Sequence, residues 1–227
     1  MLFSKSSLKK LIVPLIIEQV LAVTVGMADV VMVSKVGEAA ISGVSLVDMI
    51  NNLIIAVFAA LATGGAVVTA QFIGAKRKDK ACRSAKQLLL IALTISTVVM
   101  ILSILFRKTI LSVLFGSIEE DVMSNASTYF IVTALSFPFL AIYNSSAALF
   151  RAMGNSKLSM KVSILMNIIN IAGNAIFIYG CKMGVEGVAI PSLLSRSVAA
   201  GIMFFLLCNK KNEVHLVGRS IRPDWYM

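Results

Sequence analysis

Asn167, Asn170 and Asn174 recur at i, i+3 and i+7 inside an otherwise apolar run, which places three amides on one stripe of a helix. Such a stripe either hydrogen-bonds to a neighbouring helix or lines a polar cavity. Four ionisable residues break the apolar pattern elsewhere: Glu18, Asp29, Asp48 and Arg196. Charges at bilayer depth are costly, so they face a partner or a water-filled path. Asp29 follows Glu18 by eleven residues, close to three helical turns, so the two carboxylates share a face about 16 Å apart along the axis. Pro14 precedes Glu18 by one turn, where its ring and missing N–H bend a helix. Ser192 and Arg196, also one turn apart, add a hydroxyl and a cation. The chemistry open to this set is hydrogen bonding and exchange of a counter-ion. Asp29 is either held by a helix neighbour or faces a cavity; Glu18 either pairs with Arg196 or meets a ligand. Asp48 falls at the outer mouth of its helix, where an interfacial, solvated carboxylate is expected.

The elements that position these residues follow from hydropathy. Six apolar runs predict helices over 8–34, 45–73, 86–106, 122–149, 160–181 and 187–209, each long enough to cross about 30 Å of hydrocarbon. A mean hydropathy of +0.91 fits a membrane bundle. The fold class is therefore all-α integral membrane, a six-transmembrane-helix bundle with short loops and antiparallel neighbours. The loops are 37–43, a basic loop 74–86, an external turn at 115–121 whose acids can cap helix four, 151–161 and 182–186. Residues 210–227 form a polar tail.

The net charge of +10 has a topological cause. With the N-terminus in the cytoplasm, sixteen Lys and Arg lie inside and four outside, namely Lys35, Arg107, Lys108 and Lys182. This points to a plasma (inner) membrane location with N-terminus and tail cytoplasmic, and membrane lipid as a partner. Cations spread over short loops beside apolar spans are not a nucleic-acid-binding face. The absence of HExxH, GxSxG, P-loop and clustered His argues against an enzyme. Cys82, Cys181 and Cys208 are isolated, with neither metal nor disulfide spacing.

Several local patterns, in order, resemble one family. Pro14 with MADVVM at 27–32 resembles a proline-bent opening helix ending in an aspartate. QFIGAK at 71–76 resembles a Q-x-x-G-A-K/R exit from helix two. FRAMGNSK at 150–157 resembles an R-A-x-G-(D/N)-(S/T)-K loop and is followed by Asn167-x-x-Asn170. FIYG at 177–180, GVEGVA at 184–189 and RPDW at 222–225 complete the series. Together they are similar to the N-terminal half of multidrug and toxic compound extrusion (MATE) transporters over essentially the whole chain.

The resemblance implies one lobe of a twelve-helix exporter with a central cavity and alternating access. Such a protein exchanges amphipathic, often cationic, compounds for Na⁺ or H⁺ and needs no organic cofactor. It implies a coupling site of Asp29, Asn170, Asn174 and Ser192, with Na⁺ or H⁺ at Asp29, and a cavity or gate including Pro14, Glu18, Asn167 and Arg196. Two features depart from the family pattern. Asn174 stands where many members have an aspartate, and Arg196 adds a fixed positive charge. Only one lobe is present, so the expected partner is a C-terminal lobe or a second half, and the half chain reads as a fragment, a truncated frame or one protomer of a dimer. Export of a lipid-linked or polysaccharide precursor is the nearest alternative, and an inactive membrane fragment is another. Twelve Met and twelve Phe provide adaptable apolar surface for varied ligands or for lipid.

Overall fold

The computed structural model describes residues 5–216. The helices are α1 (Lys5–Val33), α2 (Glu38–Gly74), α3 (Lys78–Leu105), α4 (Arg107–Phe115), α5 (Glu120–Leu135), α6 (Phe137–Ala152), α7 (Ser156–Ala175) and α8 (Glu186–Leu207). A π-helical turn, Ile176–Gly180, extends α7. Five helices are long and apolar enough to span a membrane, and α5 with α6 forms a sixth span bent by 46°. The chain is a multi-pass membrane protein. Successive spans alternate direction, so one end of the bundle collects the Lys- and Arg-rich connections and the other the acidic ones.

Three departures from the hydropathy pattern have local causes. The run 122–149 is two helices because Pro138 has no N–H to offer the preceding turn. Ser136 closes the end of α5: its N–H and its hydroxyl both donate to the Thr133 carbonyl, at 3.0 and 2.6 Å. The connection 107–121 contains α4, while the acids Glu120 and Asp121 do fall in the first turn of α5, where its dipole favours them. The basic loop contracts to three residues, because α3 begins at Lys78 instead of 86.

Two family-like loops are helix C-caps. After α6, Gly154 adopts φ +79°, and Asn155 N–H reaches the Phe150 carbonyl at 2.9 Å, the six-to-one closure that ends a helix in a left-handed residue. After α2 the same closure runs from Arg77 N–H to the Phe72 carbonyl, with Lys76 at φ +58°. Both caps turn the chain sharply at the basic end.

The core has two main apolar clusters. One near the acidic end gathers Val44, Val47, Phe58, Phe130, Phe137 and Val188; the other, near the basic end, gathers Leu88, Leu149, Phe150, Met203 and Leu207. Part of the polar tail belongs to the second: Val214 is fully buried there and His215 N–H donates to Cys82 Sγ at 3.5 Å. Residues 217–227 of that tail, with the RPDW stretch at 222–225, lie outside the described residues. α1 is different from the other spans. It packs mainly on α7 and only lightly on α2, leaving Val20, Val23, Met27 and Val31 exposed.

Candidate functional site

A cavity of about 500 Å³ runs between the helices and is lined by every ionisable residue that interrupts an apolar run. Three carboxylates, Glu18, Asp29 and Asp48, face two guanidiniums, Arg151 and Arg196, giving a formal excess of one negative charge. Its volume lies in the range of small-molecule sites.

Asp29 anchors the first of three polar groups. Asn174 Nδ2 donates to Asp29 Oδ1 at 2.5 Å and to Asn170 Oδ1 at 3.3 Å. Asn170 Nδ2 in turn donates to Ser192 Oγ at 2.9 Å, and Ser192 donates to the Val188 carbonyl at 3.0 Å. α7 supplies both amides because they lie one turn apart, and the α7–α8 contact brings Ser192 to them. Asn174 is 0% exposed, yet its Oδ1 has no donor among the described residues. Buried polar atoms are nearly always satisfied, so an orphan acceptor beside a carboxylate is an exception in this packing. Asn167 lines the same cavity, its Nδ2 unpartnered among the described residues.

The second group joins α2 to α5. Asp48 Oδ1 accepts from Tyr129 Oη at 3.1 Å and from Asn51 Nδ2 at 3.5 Å. This corrects the interfacial, solvated placement expected for Asp48. α2 begins at Glu38 and not at 45, so Asp48 lies ten residues, about 15 Å, inside the helix. Tyr129 and Asn51 were not among the expected site residues; the signal was the Asp48-x-x-Asn51 spacing on one helix face.

The third group is at the basic half. Ser159 Oγ donates to Glu18 Oε1 at 2.7 Å, and Arg151 Nη1 reaches Glu18 Oε2 at 3.4 Å. The alternative in which Glu18 pairs with Arg196 is therefore replaced: its cationic partner is Arg151, from the family-like loop. Arg196 instead donates to Ser136 Oγ at 2.6 Å, at the break between α5 and α6. Pro14 is buried, one turn from Glu18 towards the basic end.

α1 is thus held by polar contacts at two points of one face, against little apolar burial. The pair of side chains is only 28% and 12% exposed for Arg151 and Glu18, so removing one partner strands a charge at partial depth. Arg151→Met should lower the melting temperature of the purified lobe more than the double variant Glu18→Gln/Arg151→Met does. Thermal unfolding of the two variants checks that order.

The sequence matches the family model described as MatE over residues 14–176. The chain belongs to the MatE family. This places it among transporters rather than enzymes. An uncharacterized transporter, YisQ, of Bacillus subtilis is 31% identical over 97% of the chain and 48% of its own length. A probable multidrug resistance protein, NorM, of Thermotoga maritima is 30% identical, with the same shares covered. The fold is that of a MATE lobe: a solved multidrug resistance MATE family transporter in an outward-facing conformation superposes with a TM-score of 0.89 at 24% identity, over 96% of this chain and 48% of that one. The chain spans about half the length of the curated relatives it matches. The MatE match takes in α1 through α7, and so includes Glu18, Asp29, Asp48 and all three α7 amides.

Proposed function

We propose that this MatE chain is the N-terminal lobe of a cation-coupled exporter of amphipathic, cationic compounds, with Na⁺ or H⁺ exchanged at Asp29. The observation that carries the reading is the Asp29–Asn174–Asn170–Ser192 chain with a buried, unpaired Asn174 Oδ1 beside the carboxylate. A cation there meets a carboxylate and an amide oxygen on two helices, α1 and α7. With the basic end in the cytoplasm, the orientation favoured by the Lys and Arg distribution, Asp29 lies towards the outer side of the membrane.

The exchange follows from electrostatics. A proton or Na⁺ on Asp29 cancels the formal negative excess of the cavity and weakens its attraction for an organic cation. Ion and cargo therefore compete, and each shifts the inward–outward equilibrium by its differential affinity for the two states. α1 is the element that moves, because it is held by two polar contacts and carries Pro14 as a bending point. Relatives named for multidrug resistance support the class of cargo. A second lobe completes the cavity, supplied by another chain segment or by a second copy arranged about an axis along the membrane normal.

The test is dye efflux from vesicles holding this lobe together with a complementary six-helix lobe. Export of an amphipathic cationic dye should collapse when the Na⁺ and proton gradients are both dissipated. Efflux that persists without either gradient overturns the coupling.

A further inference from the structure

We propose that Asp48, Asn51 and Tyr129 form a separate recognition site for a primary ammonium group of the transported molecule, distinct from the ion site at Asp29. This rests on the reading that the lobe binds an organic cation. Both sites open on one cavity, but they are built by different helices: α1, α7 and α8 for Asp29, α2 and α5 for Asp48.

The donor pattern selects the ligand. Tyr129 and Asn51 both donate to Asp48 Oδ1, which fixes the carboxylate and leaves Oδ2 with no donor among the described residues. The same bond fixes the Asn51 amide with its oxygen turned away from the carboxylate. That oxygen is buried and without a partner among the described residues, in a residue only 3% exposed that lines the cavity. Two acceptors lacking donors, one charged and one neutral, match a group carrying one positive charge and several N–H bonds. Arg196 is within electrostatic reach of Asp48 and Asp29 and offsets part of their charge, so the N–H bonds to Asp48 Oδ2 and Asn51 Oδ1, more than net charge, select the ligand; among the described residues Arg196 makes no ion pair.

The rest of the cargo has a place as well. Asp48, Asn52, Ile55 and Ala59 fall at i, i+4, i+7 and i+11, one face of α2, and all four line the cavity. Polar recognition at Asp48 therefore grades into an apolar wall that Leu140 continues. A charged amine on an apolar stem fits that gradient.

Dansylcadaverine, a fluorescent arene on a stem ending in a primary ammonium, is a suitable probe, with its trimethylammonium analogue as a ligand of equal charge and no N–H. Binding to the purified chain in detergent, read by fluorescence, should favour the primary amine. Asp48→Asn, which keeps an acceptor for Tyr129, should weaken that binding roughly 10- to 100-fold, the loss of one charge-assisted hydrogen bond. Asn51→Leu should erase the preference for the primary amine, and this decides the matter if the Asp48 variant does not fold. Unchanged affinity in Asp48→Asn, or equal affinity of the wild type for both ligands, overturns the site. Displacement of the probe by Na⁺ or acid, lost in Asp29→Asn, tests the coupling separately; its absence sinks the coupling and leaves the ammonium site standing.

Discussion

Asp29→Asn should leave the lobe folded and abolish ion-driven efflux in the two-lobe transporter. The substituted amide can still accept the hydrogen bond that Asn174 donates to Asp29 Oδ1, so the α1–α7 contact persists. What disappears is the charge. An amide neither takes up a proton near neutral pH nor attracts Na⁺, so occupation of the site no longer depends on the ion gradient. Efflux with the gradient imposed should therefore fall to the rate seen without one. The measurement is initial efflux rate at matched membrane levels, with the gradient imposed and then collapsed. Wild-type rates that still respond to the gradient would reject Asp29 as the coupling residue.

Why was the architecture legible in the sequence while half of the site was not? Six apolar runs with short, oppositely charged connections leave few arrangements for a membrane chain, and the α7 amide stripe is visible from spacing alone. The break at Ser136 was hidden because Pro138 lies in a run as apolar as its neighbours, and hydropathy does not register a missing N–H. Asp48 was misplaced by a boundary. The small residues preceding it read as a turn, whereas they extend α2 back to Glu38 and carry the carboxylate to cavity depth. Glu18 was matched to the other in-span charge, Arg196. Its partner, Arg151, is 133 positions away in a segment whose cations look like ordinary loop charge. Pairings across helices depend on which faces meet, and that information is in the packing, not in local pattern. The orphan oxygens of Asn51 and Asn174 belong to the same category: residue type was visible, the missing donor was not.

Packing also predicts a lesion that touches no polar atom. Gly173→Ala should destabilise the lobe by about 1–3 kcal/mol and blunt its ion response together. A Cβ on Gly173 would meet Cβ of Pro191 at 2.7 Å and its Cγ at 3.0 Å, and a proline ring has no rotamer into which to retreat. α7 and α8 must then separate, and that contact is the one that holds Ser192 Oγ 2.9 Å from Asn170. Opening it unlinks the hydroxyl from the amide chain that ends on Asp29. Gly201→Ala, in the partner helix α8, is the control, since its Cβ would meet nothing within 4 Å. Helix propensity alone should make that change neutral to stabilising, by up to about 1 kcal/mol. Melting temperature and Na⁺- or acid-induced stabilisation, measured on both variants, separate the two cases. Loss of stability in Gly173→Ala with the ion response intact would mean that Ser192 braces α8 and takes no part in the Asp29 site.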